Sequence, residues 1–80
     1  MTTKIIIHVE GGLVQGVIAN CPVNYVVADT DYQGALADEI VRPPKALKRH
    51  IASDRMNKIR FEHEAAVDPV AVAQTLQLTR

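Results

Sequence analysis

Aromatic residues are scarce in this 80-residue chain, limited to Tyr25, Tyr32 and Phe61, with no tryptophan. A core built from it has to be aliphatic. Cysteine is reduced to Cys21 alone, which excludes an internal disulfide and fits a reducing compartment. No apolar run approaches the roughly 20 residues needed to cross a bilayer, so no membrane partner is expected. Met1-Thr2-Thr3-Lys4 leads straight into a strand pattern, without the hydrophobic region of a signal peptide. The expected setting is cytoplasmic. A single domain, residues 1–80, buries only about 60–65% of its unfolded surface at this size. With no metal or disulfide staple, a homodimer is one way to add buried surface.

Local metal and nucleophile motifs are also missing. His8, His50, His63 and Cys21 lie far apart, with no CxxC, HxxxH or HExxH spacing, whereas a zinc site needs three or four converging ligands. No cofactor or metal is expected, and no catalytic residues stand out. Cys21 precedes Pro22 in a turn and has no local histidine to lower its pKa. Gly11-Gly12 does not belong to a phosphate loop, because both its flanks read as strands and no GxxxxGK[ST] pattern follows.

What is present is first of all a hairpin. Lys4 to Ala19 places two apolar runs around Glu10-Gly11-Gly12-Leu13, and paired glycines supply the positive φ angles of a tight turn. Simple pairing puts Ile5, Ile7 and Val9 with Val14, Gly16 and Ile18 on the core face. The mixed face then holds Lys4, Ile6, His8, Glu10, Leu13, Gln15, Val17 and Ala19. Asn20-Cys21-Pro22 is a turn, and Val23–Ala28 is expected to return as a third, antiparallel strand. Tyr32, Leu36 and Ile40 are spaced for a short helix ending at Arg42-Pro43, with Gly34 costing it about 1 kcal/mol. Pro44 can open a second helix carrying Leu47 and Ile51. Over residues 53–66 two readings compete: a strand alternating Ile59, Phe61, His63 and Ala65, or one helix running from Pro44 to Ala66. Asp68-Pro69 is an N-cap followed by proline at the first helical position, with Val72, Ala73 and Leu76 facing the core. The expected fold is α+β: a small antiparallel β-meander of three to four strands with two to three helices packed on one face.

The formal net charge is zero, yet the charge is segregated. Residues 1–41 carry −4, residues 42–60 carry +6 and residues 61–80 carry −2. The basic stretch holds Arg42, Lys45, Lys48, Arg49, Arg55, Lys58 and Arg60, with Asp54 as its lone acid. On a helix, Lys45, Lys48 and Arg49 share a face. Such a patch attracts phosphates or an acidic protein surface; the bland alternative is a solvated face balanced by acids within the chain. Asp29 and Asp31 suit helix capping, while Asp38 and Glu39 lie too far along for that and are free to face a partner.

The residues Glu10-Gly11-Gly12, Val14-Gln15 and Asp29-Thr30-Asp31 resemble the opening of short proteins encoded by phages, plasmids and other mobile elements. Those proteins begin with a strand, an EGG turn, a VQ-containing strand and an acidic D-x-D-like tail. The likeness covers about the first third of the chain. It implies a bacterial mobile-element setting, in which small proteins often inhibit host systems, anti-CRISPR proteins among them. The resulting expectation is a non-catalytic inhibitor that binds a host nucleic-acid-targeting complex stoichiometrically. The alternative is a small DNA- or RNA-binding accessory protein using residues 42–60.

Overall fold

The computed structural model of the protein describes residues 2–79. In chain order the elements are β1 (Ile5–Glu10), β2 (Leu13–Ala19), β3 (Asn24–Tyr25), β4 (Ile40–Val41), α1 (Lys45–Lys48), β5 (Met56–Asn57), β6 (His63–Glu64), β7 (Ala66–Val67) and α2 (Pro69–Leu76). Short 3₁₀ turns cover Ala37–Glu39 and Gln77–Thr79. The α+β composition agrees with expectation, but among the described residues α2 is the one α-helix longer than a turn, in place of two to three. The chain divides into two compact units, Met1–Tyr25 with His63–Arg80, and Val26–Glu62.

The first unit is built on the expected hairpin. Gly11 and Gly12 take φ angles of 59° and 77°, as a two-residue turn with both central residues at positive φ requires. Glu10 pairs with Leu13 and Val9 with Val14, but His8 then pairs with Gly16, so Gln15 is an extra residue in β2. This bulge changes which residues share a face. Beyond it Ile7 pairs with Val17 and Ile5 with Ala19, so Val17 and Ala19 join the Ile5–Ile7–Val9 face and Gly16 and Ile18 leave it. Val17 and Ala19, expected on the mixed face, are the buried ones, forming a cluster with Ala65 under Val23 and Tyr25. Ile5, Ile7, Val9 and Val14 remain exposed.

The expected meander does not form. Pro22 has no N–H to offer a ladder, and the segment Val23–Ala28 pairs through Asn24 and Tyr25 with β6 rather than β2, the Val23 carbonyl adding one bond from the Ala65 N–H. The neighbour that β2 gains is β7, which runs parallel to it. Of the two readings of residues 53–66, the strand reading is the nearer, although it breaks into β5, β6 and the start of β7. The last helix matches its sequence signature. Asp68 is the N-cap, its Oδ1 accepting from the Ala71 N–H at 3.0 Å, with Pro69 next. The Asp68 N–H in turn donates to the Ala19 carbonyl at 2.9 Å, tying the cap to β2. Val72 is buried and Leu76 half-buried, while Ala73, expected in the core, is exposed.

In the second unit the expected helix over Tyr32–Val41 is absent. Gly34 adopts φ 86°, which no right-handed helix accommodates. Asp29 does not cap a helix either; its Oδ1 accepts from the Asp31 N–H at 2.8 Å, an Asx turn. What remains of the helix is the 3₁₀ turn at Ala37–Glu39, followed directly by β4. The helix expected after Pro44 is a single turn, with Pro44 as its N-cap. Its end tightens at once, the His50 N–H donating to the Leu47 carbonyl three residues back. With only Leu47 and Ile51 as an apolar stripe, little packing energy supports extending it. Met56 and Pro43 are the buried residues of this unit.

Candidate functional site

The second unit arranges the basic residues around a short β-ribbon. Ile40 pairs with Asn57 and Val41 with Met56, antiparallel. Continuing that register by one step sets Arg42 opposite Arg55, where the ribbon ends. Pro43 diverts the strand and Pro44 starts α1, which brings Lys48 back toward the same end. On the other arm Ser53 shapes the return: its Oγ donates to the Arg55 carbonyl at 2.6 Å and accepts from the Arg55 N–H at 3.3 Å. The result is a cleft of about 400 Å³ lined by Arg42, Lys48, Asp54 and Arg55. The two arginines also border a second recess with Ala37, Ile40 and Val41.

The ribbon is anchored on its far side. The Asn57 N–H donates to the Asp29 carbonyl and its side-chain amide to the Asp31 carbonyl, each at 2.8 Å. The Lys58 N–H donates to the Glu39 carbonyl at 2.6 Å. These bonds fix Met56 in its buried position and hence the direction in which Arg55 leaves the ladder.

Among the described residues, two of the seven cations are committed to ion pairs within the chain. Lys48 Nζ lies 2.5 Å from Asp54 Oδ1, and Arg60 is ion-paired with Glu39. The hydrogen bond from Lys48 holds the Asp54 carboxyl below the usual aspartate range, helped by the Lys48 charge and by the nearby Arg42 and Arg55. Arg42, Lys45, Arg49, Arg55 and Lys58 take part in no ion pair among the described residues. Glu39, expected to face a partner, is half-buried and bound to Arg60, whereas Asp38 is exposed in the 3₁₀ turn. Lys45 and Lys48 lie in α1 and Arg49 is its C-cap, so the three fall in one helical turn where a longer helix was expected. The sequence reading missed Asp54, which sets the position of the Lys48 ammonium.

Chemically the cleft is lined by two arginines, together with an ammonium already engaged by a carboxylate. Guanidinium forks match carboxylate and phosphate oxygens bidentately. Among the described residues no three of His, Cys, Asp and Glu gather where a metal ion could be held. Nor is any described helix long and apolar enough to cross a membrane. No protein family, curated protein or solved structure significantly matches the chain.

Proposed function

We propose that the protein is a non-catalytic binding protein that engages an acidic or phosphate-bearing surface through the Arg42–Arg55 cleft. In this reading it is a mobile-element inhibitor, anti-CRISPR-like, that occupies a host nucleic-acid-targeting complex in the bacterial cytoplasm. The observation that supports it is the pairing of Arg42 and Arg55 at the end of the β4–β5 ribbon. Their guanidinium groups are exposed and joined to no carboxylate among the described residues. Lys45, Arg49 and Lys58 extend the positive field, while Arg60 and Glu39 neutralise each other and serve the unit's own structure.

The test is capture from a bacterial lysate by the wild type and by the double variant Arg42→Glu/Arg55→Glu. Both positions are exposed, and the change replaces one like-charge pair by another, so the ribbon is left comparable. Charge-assisted hydrogen bonds contribute about 1.5–3 kcal/mol each. Losing two therefore weakens the complex by about a hundredfold or more. A protein partner retained after nuclease treatment and lost in the variant is the expected result. Equal capture by both forms would exclude the cleft as the interface. Nuclease-sensitive capture that falls steeply with salt would instead favour the DNA- or RNA-binding accessory role.

A further inference from the structure

β1 is the edge of its sheet, whose order is β1-β2-β7. The direction of its backbone groups follows from one bond: the Lys4 carbonyl accepts from the Asn20 N–H at 3.2 Å. Even-numbered residues of β1 thus turn their N–H and C=O groups toward β2, and Ile5, Ile7 and Val9 turn theirs to the open edge. The same three side chains are 43%, 60% and 58% exposed. A long, apolar, unpaired edge is what natural sheets ordinarily shield with charge, proline or a bulge. Here the bulge lies in β2, at Gln15, and leaves the β1 edge regular.

We propose that this edge pairs with β1 of a second copy of the chain, antiparallel about a two-fold axis at Ile7. The sequence of the strand selects both occupant and register. With Ile7 opposite Ile7, the strand sets Ile5 against Val9, and all three outward-facing residues of each copy meet outward-facing residues of the other. Six backbone hydrogen bonds close, two for each of three pairs. On the opposite face the same register brings Lys4 against Glu10 and Glu10 against Lys4, in non-hydrogen-bonded pairs where side chains approach most closely. Neither Lys4 nor Glu10 has an ion-pair partner among the described residues. Shifting the strands by two residues in one direction sets Lys4 against His8; in the other it sets His8 against His8, and either loses pairs. The product is one six-stranded sheet in which the exposed Ile5–Ile7–Val9 rows of both copies become contiguous.

Sedimentation equilibrium and amide hydrogen exchange on the full chain test this. The expected results are a dimer, and concentration-dependent protection of the Ile5, Ile7 and Val9 amides. Ile7→Pro removes an N–H that faces the open edge, where proline is tolerated, so it should yield a folded monomer. Lys4→Glu should weaken the dimer about tenfold, because two symmetry-related pairs turn repulsive together. Glu10→Lys should do the same, and the double exchange Lys4→Glu/Glu10→Lys should restore the wild-type association. A wild type that stays monomeric, a dimer indifferent to Ile7→Pro, or a double exchange no tighter than the single variants would overturn the proposal. So would a monomer whose edge binds only a strand of another protein.

Discussion

Asp54 is the one negative charge in the stretch 42–60, and it is exposed, yet its carboxyl is held below the usual aspartate range, chiefly by the Lys48 hydrogen bond. A carboxylate whose folded pKa is depressed stabilises the fold above its unfolded pKa and loses that contribution as pH falls through the folded value. Asp54→Asn should therefore be less stable than the wild type at neutral pH. The difference should close as pH drops below the ordinary aspartate range, as read from urea midpoints across an acid series. A gap that persists in strong acid would mean that the side chain acts through something other than its charge. Sequence alone hid this role because the partners are six residues apart, joined by a helical turn and the Ser53 return that no local pattern announces. Arg42 and Arg55 were visible as members of a charge run. Their adjacency depended on the β4–β5 register, which two-residue strands do not advertise.

Elements were legible where a residue's own chemistry dictates backbone geometry. Paired glycines forced the hairpin turn, and Asp68-Pro69 forced the start of α2. Asp68→Ala removes the acceptor of the Ala71 N–H. It should cost about 1 kcal/mol, measurable as a lower urea midpoint with an unchanged slope; an unchanged midpoint would mean that the Asp68 backbone bonds alone hold the helix start. Legibility failed where the pattern was compatible with two answers. Ile5-Ile6-Ile7 and Val17-Ile18-Ala19 are apolar on both parities, so an extra residue at Gln15 changes the buried face without breaking any hydrophobic rule. Tyr32, Leu36 and Ile40 do have helical spacing. The φ of Gly34 outweighs that spacing, because a four-residue period confers little without a surface to bury against. Residues 59–62 alternate like a strand, but pairing begins only at His63, opposite Tyr25.

For the whole molecule, exposed area is the telling quantity. Along the β1 edge, Ile5, Ile7 and Val9 are all exposed, as are Leu13 and Val14 beyond the turn. Among the described residues few side chains are fully enclosed, Met56 and Val72 being the largest. Stability drawn partly from association depends on concentration. The thermal midpoint should accordingly rise as the protein is concentrated, and the Ile7→Pro variant should show no such rise; a wild-type midpoint independent of concentration would argue that folding needs no second copy. The stacked rings of Tyr25 and His63, 5.4 Å apart, carry a different consequence. The 37 residues from Val26 to Glu62 leave and re-enter the first unit at register partners. To that unit they are a closed excursion, and doubling its length adds only about 0.6 kcal/mol of closure entropy. The junction thus tolerates a longer excursion at little entropic cost, because Tyr25 and His63 already hold the two ends together.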